Sequence, residues 1–175
     1  MRALAAIFFA LLLVASIPAQ RQQREPLTEK QQDQIAEAGT DPVARVNLYI
    51  KFLDEHADTI KGLVKRTRSA ARARRIDDEL EDFAALADEF DTNLDVYAER
   101  KADIRLALKG MNEAVLRWQE VLQRLPSEPG FEISLKDGIA SLDDLAAQTK
   151  RLTADQEAYF KAHKNENGQE RWEPK

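Results

Sequence analysis

Fifteen positions between Ile76 and Leu125 recur at alternating spacings of four and three: Ile76, Leu80, Phe83, Ala87, Phe90, Leu94, Tyr97, Lys101, Ile104, Leu108, Met111, Val115, Trp118, Leu122 and Leu125. Fourteen of the fifteen are apolar, and Lys101 is the exception. This spacing draws one apolar stripe along an α-helix and is incompatible with a strand, whose faces alternate every two residues. Two geometries satisfy it. One is a single helix of about 50 residues, about 75 Å long at 1.5 Å per residue, and the other is two helices of about 23 residues joined by a tight turn. The turn is favoured, although neither Gly nor Pro marks it. Lys101 breaks the stripe, Asp103 can cap a helix that starts at Ile104, and two helices of matched length can close a core that a single rod would leave thinly covered.

Proline is absent from Val43 to Leu125, so the preceding segment also reads as helix. There Val46, Ile50, Leu53, Ala57, Ile60 and Val64 keep the same rhythm, and the stripe fades over 67–75, where a turn is expected. Before it, Thr28 and Gln31 have capping-box spacing for a short helix reaching about Ala38, and Gly39-Thr40-Asp41-Pro42 reads as a stop followed by a new cap. After it, Leu125-Pro126-Ser127-Glu128-Pro129-Gly130 is a loop. A last amphipathic helix then carries Ile133, Leu135, Ile139, Leu142, Ala146, Thr149, Leu152, Tyr159 and Phe160 and ends near His163. The expected fold is all-α: an antiparallel four-helix bundle of long amphipathic helices preceded by a short N-terminal helix.

Residues 1–19 are of another kind. Arg2 precedes an uncharged apolar run from Ala3 to Ser16, and Ile17-Pro18-Ala19 ends on a small residue, which is the pattern of a secretory signal peptide cut after Ala19. A retained anchor is the competing reading, but the run is shorter than the roughly 20 apolar residues that span a bilayer. The division that follows is a signal peptide (1–19), a disordered leader (20–26), a bundle domain (27–163) and a polar tail (164–175). The mature chain is expected to be periplasmic or secreted, with no transmembrane helix once the signal is removed.

Candidate chemistry is sparse. With no Cys, the chain has no disulfide, thiol nucleophile or thiolate metal site. His56 and His163 are the only imidazoles, and neither follows a Glu by three residues as dimetal bundles require. Asp91-x-Asn93-x-Asp95 opens like a calcium loop, but Val96 stands where Gly is needed and Ala102 where the bidentate Glu belongs. No phosphate-binding glycine loop or nucleophile elbow is present. The expectation is a protein that is not an enzyme, with no cofactor and no metal. A net charge of -5 argues against nucleic acid as a partner.

Charge is nonetheless segregated. Lys65, Arg66, Arg68, Arg72, Arg74 and Arg75 lie in eleven residues without an acid, and Asp77 to Asp95 then holds nine acids without a base. Helix-dipole complementarity is one account of the pattern. The other is a basic bundle tip, with those six residues as contacts to an anionic envelope surface or an acidic protein partner.

Leu27-Thr28-Glu29-Lys30-Gln31 and Leu152-Thr153-Ala154-Asp155-Gln156 both match L-T-x-x-Q. In these ten residues the chain resembles a group of small exported helical chaperones and metal-resistance sensors of the bacterial periplasm, although it lacks their Met-rich or strongly basic concave surface. Over most of its length, with Asn47-Leu48-Tyr49-Ile50-Lys51-Phe52, Leu80-Glu81-Asp82-Phe83 and Lys101-Ala102-Asp103-Ile104-Arg105, it resembles exported bacterial helical proteins of unassigned function. The second likeness implies a shared fold without an activity. Two roles follow as expectations: an envelope structural or protein-interaction module, and, as the alternative, an ATP-independent holdase of the L-T-x-x-Q type.

Overall fold

The structure, a computed structural model, describes residues 25–166. The signal peptide, most of the leader and most of the polar tail expected from the sequence lie outside the described residues. Within them the chain is a helical bundle of five α-helices with no strand: α1 (Glu29–Glu37), α2 (Pro42–Val64), α3 (Ala70–Glu99), α4 (Arg105–Gln123) and α5 (Glu132–Ala162). No helix among the described residues is long and apolar enough to cross a membrane.

The starts of α1 and α2 follow from local chemistry. The Thr28 hydroxyl accepts from the Gln31 N–H at 3.3 Å while the Thr28 N–H donates to Gln31 Oε1 at 2.9 Å, so the capping box is complete. Gly39 takes a φ of 58° after α1. Asp41 then caps α2 by accepting from the N–H groups of Val43 and Ala44, with Pro42 in the first turn. The turn expected over 67–75 is confined to 65–69, because Ser69 caps α3 through the Arg72 N–H at 3.2 Å. Arg72, Arg74 and Arg75 are therefore helical.

The long apolar series breaks at Lys101, so 76–125 is not one rod. The break uses a helix-ending geometry that normally calls for glycine. Lys101 adopts a φ of 55°, the Ala102 N–H reaches back to the Tyr97 carbonyl, and the Lys101 N–H reaches the Ala98 carbonyl, which together form a Schellman motif with lysine in the left-handed position. Asp103 accepts from the Arg105 N–H at 3.2 Å, and α4 begins at Arg105, one residue later than the capping argument places it.

Neighbour relations depart from chain order. α3 packs on α2 and on α5, and α4 packs on α5 and on α2, while α3 and α4 make no direct backbone contact. Tyr49 bonds Glu89 and His56 meets Glu79, so α2 and α3 run antiparallel. Asn112 bonds Thr153 and Gln119 bonds Asp143, so α4 and α5 do likewise. Ser134 bonds Asp77 and Gln148 bonds Asp95, which makes α3 and α5 parallel. The matched-length argument treats α3 and α4 as neighbours, but their lengths are 30 and 19 residues and they face each other across the core. There they meet through side chains, Phe83 edge-on to Trp118 at 6.2 Å.

That core is continuous. Trp118, Tyr49, Phe52, Phe83 and Phe90 are fully buried, and Tyr49 stacks on Phe90 at 4.8 Å. Burying side chains of this kind contributes about 1.5–3 kcal/mol each. The face of α5 differs from the apolar pattern read in the sequence. Ile133 is 70% exposed, while Ser134, Gln148 and Gln156 are buried with hydrogen-bond partners, beside Thr149, which the pattern did place inward.

Candidate functional site

The six basic residues singled out in the sequence lie at the end of the bundle where α2 passes into α3, and the α4–α5 connection shares that end. The structure divides the six. Arg72 is only 5% exposed: its Nε donates to the Leu63 carbonyl at 3.1 Å, and its guanidinium grips Glu128 with contacts from 2.9 to 3.3 Å. It ties the last turn of α2 to the α4–α5 loop and is not available to an external surface, which corrects its place among the contact residues. It stands four residues before Ile76, on the same face as the buried stripe, and that register was a readable sign of its burial.

Arg68 is exposed and also reaches Glu128, at 3.4 Å. Its bonds to Arg72, first of all, hold the Glu128 carboxyl below the usual carboxylate range. Lys65, Arg66, Arg74 and Arg75 are exposed, and their side chains have no hydrogen-bond or ion-pair partner among the described residues. The helix dipole accounts for Lys65 and Arg66, which follow the C-terminus of α2. It does not account for Arg74 and Arg75. They lie in the second turn of α3, past the reach of the helix dipole.

Three further cations join this end from positions that the sequence search did not connect. Between the last turns of α2 and α4 lies a groove of about 450 Å³ with Val64, Val121 and Leu125 as its apolar wall and Lys61, Lys65, Arg117, Arg124 and Glu120 around it. Arg117 is set by Asp54, at 3.0 Å, and Asp54 also accepts from Trp118 Nε1 at 2.8 Å. Arg124 pairs with Glu120 at 2.7 Å, and Lys61 with Asp58 at 3.0 Å, both within a helix and on exposed side chains. These contacts also show α2 and α4 running parallel, since 54 lies level with 118 and 64 with 125. The sequence signal for this cluster was only the basic ending of each helix.

The remaining candidates resolve into structural roles. His56 Nδ1 lies 2.9 Å from Glu79 Oε2. Asn93 donates to the Tyr49 hydroxyl on α2 and Asp95 accepts from Gln148 on α5, so two of the calcium-like triplet are spent on helix-to-helix bonds, while Asp91 Oδ1 is buried with no hydrogen-bond partner among the described residues. Burial, and then the Glu89 bond, push the Tyr49 hydroxyl well above its ordinary range. Among the described residues no group of three or more His, Asp or Glu side chains is placed to hold a metal ion.

The two L-T-x-x-Q segments do unlike things. The first is the capping box of α1. In the second, Gln156 is buried in the last third of α5, where its amide accepts from the Ile104 N–H at 3.0 Å and donates to the Ala102 carbonyl at 2.7 Å. Ala102 and Ile104 are fully buried, so one side chain satisfies two backbone groups of the α3–α4 connection that water does not reach. Large exposed apolar side chains among the described residues are Leu106, Leu116 and Ile133, distributed over α4 and α5.

Fold and site together define an all-helical bundle with one cation-rich end. Comparison of the chain with models of protein families, with curated proteins and with solved structures finds no match in any of the three.

Proposed function

We propose that the protein is an exported, non-enzymatic four-helix bundle that serves as an envelope interaction module and meets an anionic partner with its α2–α3 end. The observation that carries this reading is the pair Arg74 and Arg75, exposed beside Lys65 and Arg66 and without an ion-pair partner among the described residues. Clustered unpaired cations raise the local concentration of anionic material and fix no particular sequence or shape in the partner, which suits attachment. Export rests on the pattern of residues 1–19. The holdase alternative gains little here, because shielding an unfolded client calls for a contiguous apolar surface and the exposed Leu106, Leu116 and Ile133 are dispersed.

The test is co-sedimentation with phosphatidylglycerol-containing vesicles, using the protein without residues 1–19. Wild type is expected to sediment at low salt and to be released as salt rises to physiological strength, since exposed charges are screened over about 8–10 Å. A variant with Gln at Lys65, Arg66, Arg74 and Arg75 should lose sedimentation while its stability changes by less than about 1 kcal/mol. Arg72 is left intact so that loss of attachment is not loss of fold. Equal sedimentation of variant and wild type would reject the reading.

A further inference from the structure

The groove between the last turns of α2 and α4 combines features that a surface for polyanions alone would not need. Its wall is apolar, built from Val64, Val121 and Leu125, of which Val64 and Leu125 are partly open to solvent. Its volume of about 450 Å³ falls within the range of small-molecule sites. It follows the last two turns of α4 from Arg117 and continues past the helix end to Arg124 and Leu125. Four cations and one carboxylate surround it, and of the cations Lys65 has no ion-pair partner among the described residues. Arg124 is 78% exposed and pairs only within its own helix, so its guanidinium can turn to a ligand at little loss.

We infer that this groove binds a single-acyl amphiphile with an anionic headgroup, laying the chain along Val64, Val121 and Leu125 and the headgroup against Lys65 and Arg124. The charge balance of the lining selects the sign of the headgroup, and the apolar wall selects a chain over a sugar or a peptide backbone. This rests on the reading that the same end of the bundle meets anionic material, and gives that reading a ligand class: Lys65 belongs both to the exposed basic tip and to the groove. A polyanion held by the tip alone would touch none of the apolar wall.

Titration calorimetry of the full mature chain with octanoate, decanoate and dodecanoate tests the inference, each ligand kept below its critical micelle concentration. Affinity is expected to rise steeply along the series, approaching fourfold for each methylene that becomes buried. Decylammonium, with the opposite charge, should not bind. Lys65→Gln with Arg124→Gln, both at exposed sites, should weaken dodecanoate about tenfold or more, and Val64→Phe, at the last residue of α2, should plug the groove and abolish binding. Circular dichroism confirms that each variant keeps its helices. If Val64→Phe alters the fold, Leu125→Gln, at the half-buried edge of the groove, replaces it with the same expectation. No dodecanoate binding, or binding that ignores chain length, headgroup charge or the two sets of substitutions, overturns the inference. Vesicle co-sedimentation of the same Val64→Phe protein separates the two readings: a basic tip that works without the groove retains sedimentation, whereas failure of wild type to sediment strikes the attachment reading alone.

Discussion

At the α3–α4 end a neutral amide holds the connection, since Gln156 bonds the Ile104 N–H and the Ala102 carbonyl, both beyond the reach of water. At the other end a guanidinium plays the corresponding part, with Arg72 bonding the Leu63 carbonyl and Glu128. The tasks are alike: each side chain ties helix ends to a connecting segment. Their surroundings differ. Gln156 lies under a connection that closes over the core, whereas Glu128 sits in a loop at the surface, beside cations that have no ion-pair partner among the described residues. Neutral chemistry suits the buried groups beneath the α3–α4 connection, because an ion in place of Gln156 would lose its hydration without a matched counter-charge. Charged chemistry suits the end proposed to meet ions in any case.

The comparison can be broken by removing each clamp. Gln156→Leu keeps the apolar bulk and leaves one buried donor and one buried acceptor unpaired, so it should destabilise the protein by about 3–4 kcal/mol in urea unfolding. Arg72→Met should lower stability by about 2–3 kcal/mol, less than Gln156→Leu, because the freed Glu128 can turn to water while only the Leu63 carbonyl stays shielded. The reverse order would mean that the ion pair, and not the amide, is the stronger fastening.

Acid should sharpen the contrast. The Glu128 carboxyl is held below its ordinary value by Arg72, so its contribution to stability is fully present above the unfolded-state glutamate pKa of about 4.3 and is lost as pH falls through the lower folded value. The stability difference between wild type and Glu128→Gln is therefore expected to be full at pH 7 and to shrink below about pH 4. The difference between wild type and Gln156→Leu should not change over the same window, since no titrating group belongs to that clamp. Urea unfolding at stepped pH reads both.

The smallest effect is expected at Lys101. A lysine at a φ of 55° bears strain that glycine does not, so Lys101→Gly should raise the melting temperature by the equivalent of about 0.5–1 kcal/mol. Part of that gain is offset by losing the ammonium over the Tyr159 ring, 5.4 Å away. A drop in melting temperature would show that the Tyr159 contact outweighs the backbone strain.

Much of the helical layout was legible in the sequence because it is local. The capping box at Thr28, the Asp41-Pro42 restart and the break beside Lys101 depend on residues within one turn of each other. What the sequence concealed depends on polar side chains in apolar registers. Counting apolar residues along α5 put Ile133 on the inner face and left out Ser134, Gln148 and Gln156, which are buried because α3 and the α3–α4 connection supply their hydrogen-bond partners. Arg72 was grouped with its basic neighbours by charge, although its distance from Ile76 placed it inward. The groove was hidden for another reason: Lys61 and Arg124 are 63 residues apart in the chain and belong together only because α2 and α4 run side by side.

Because residues 100–104 carry the chain across the core and not to an adjacent helix, α3 and α4 cannot fold first as a local hairpin. Each packs on one helix next to it in the chain, α3 on α2 and α4 on α5, and on one far along it, α3 on α5 and α4 on α2. α5 touches both, so a ribosome must deliver residues 132–162 before the inner faces of α3 and α4 can be fully covered. Until then Phe83 and Trp118 stand partly uncovered, and the nascent chain carries an apolar surface that the finished protein has buried.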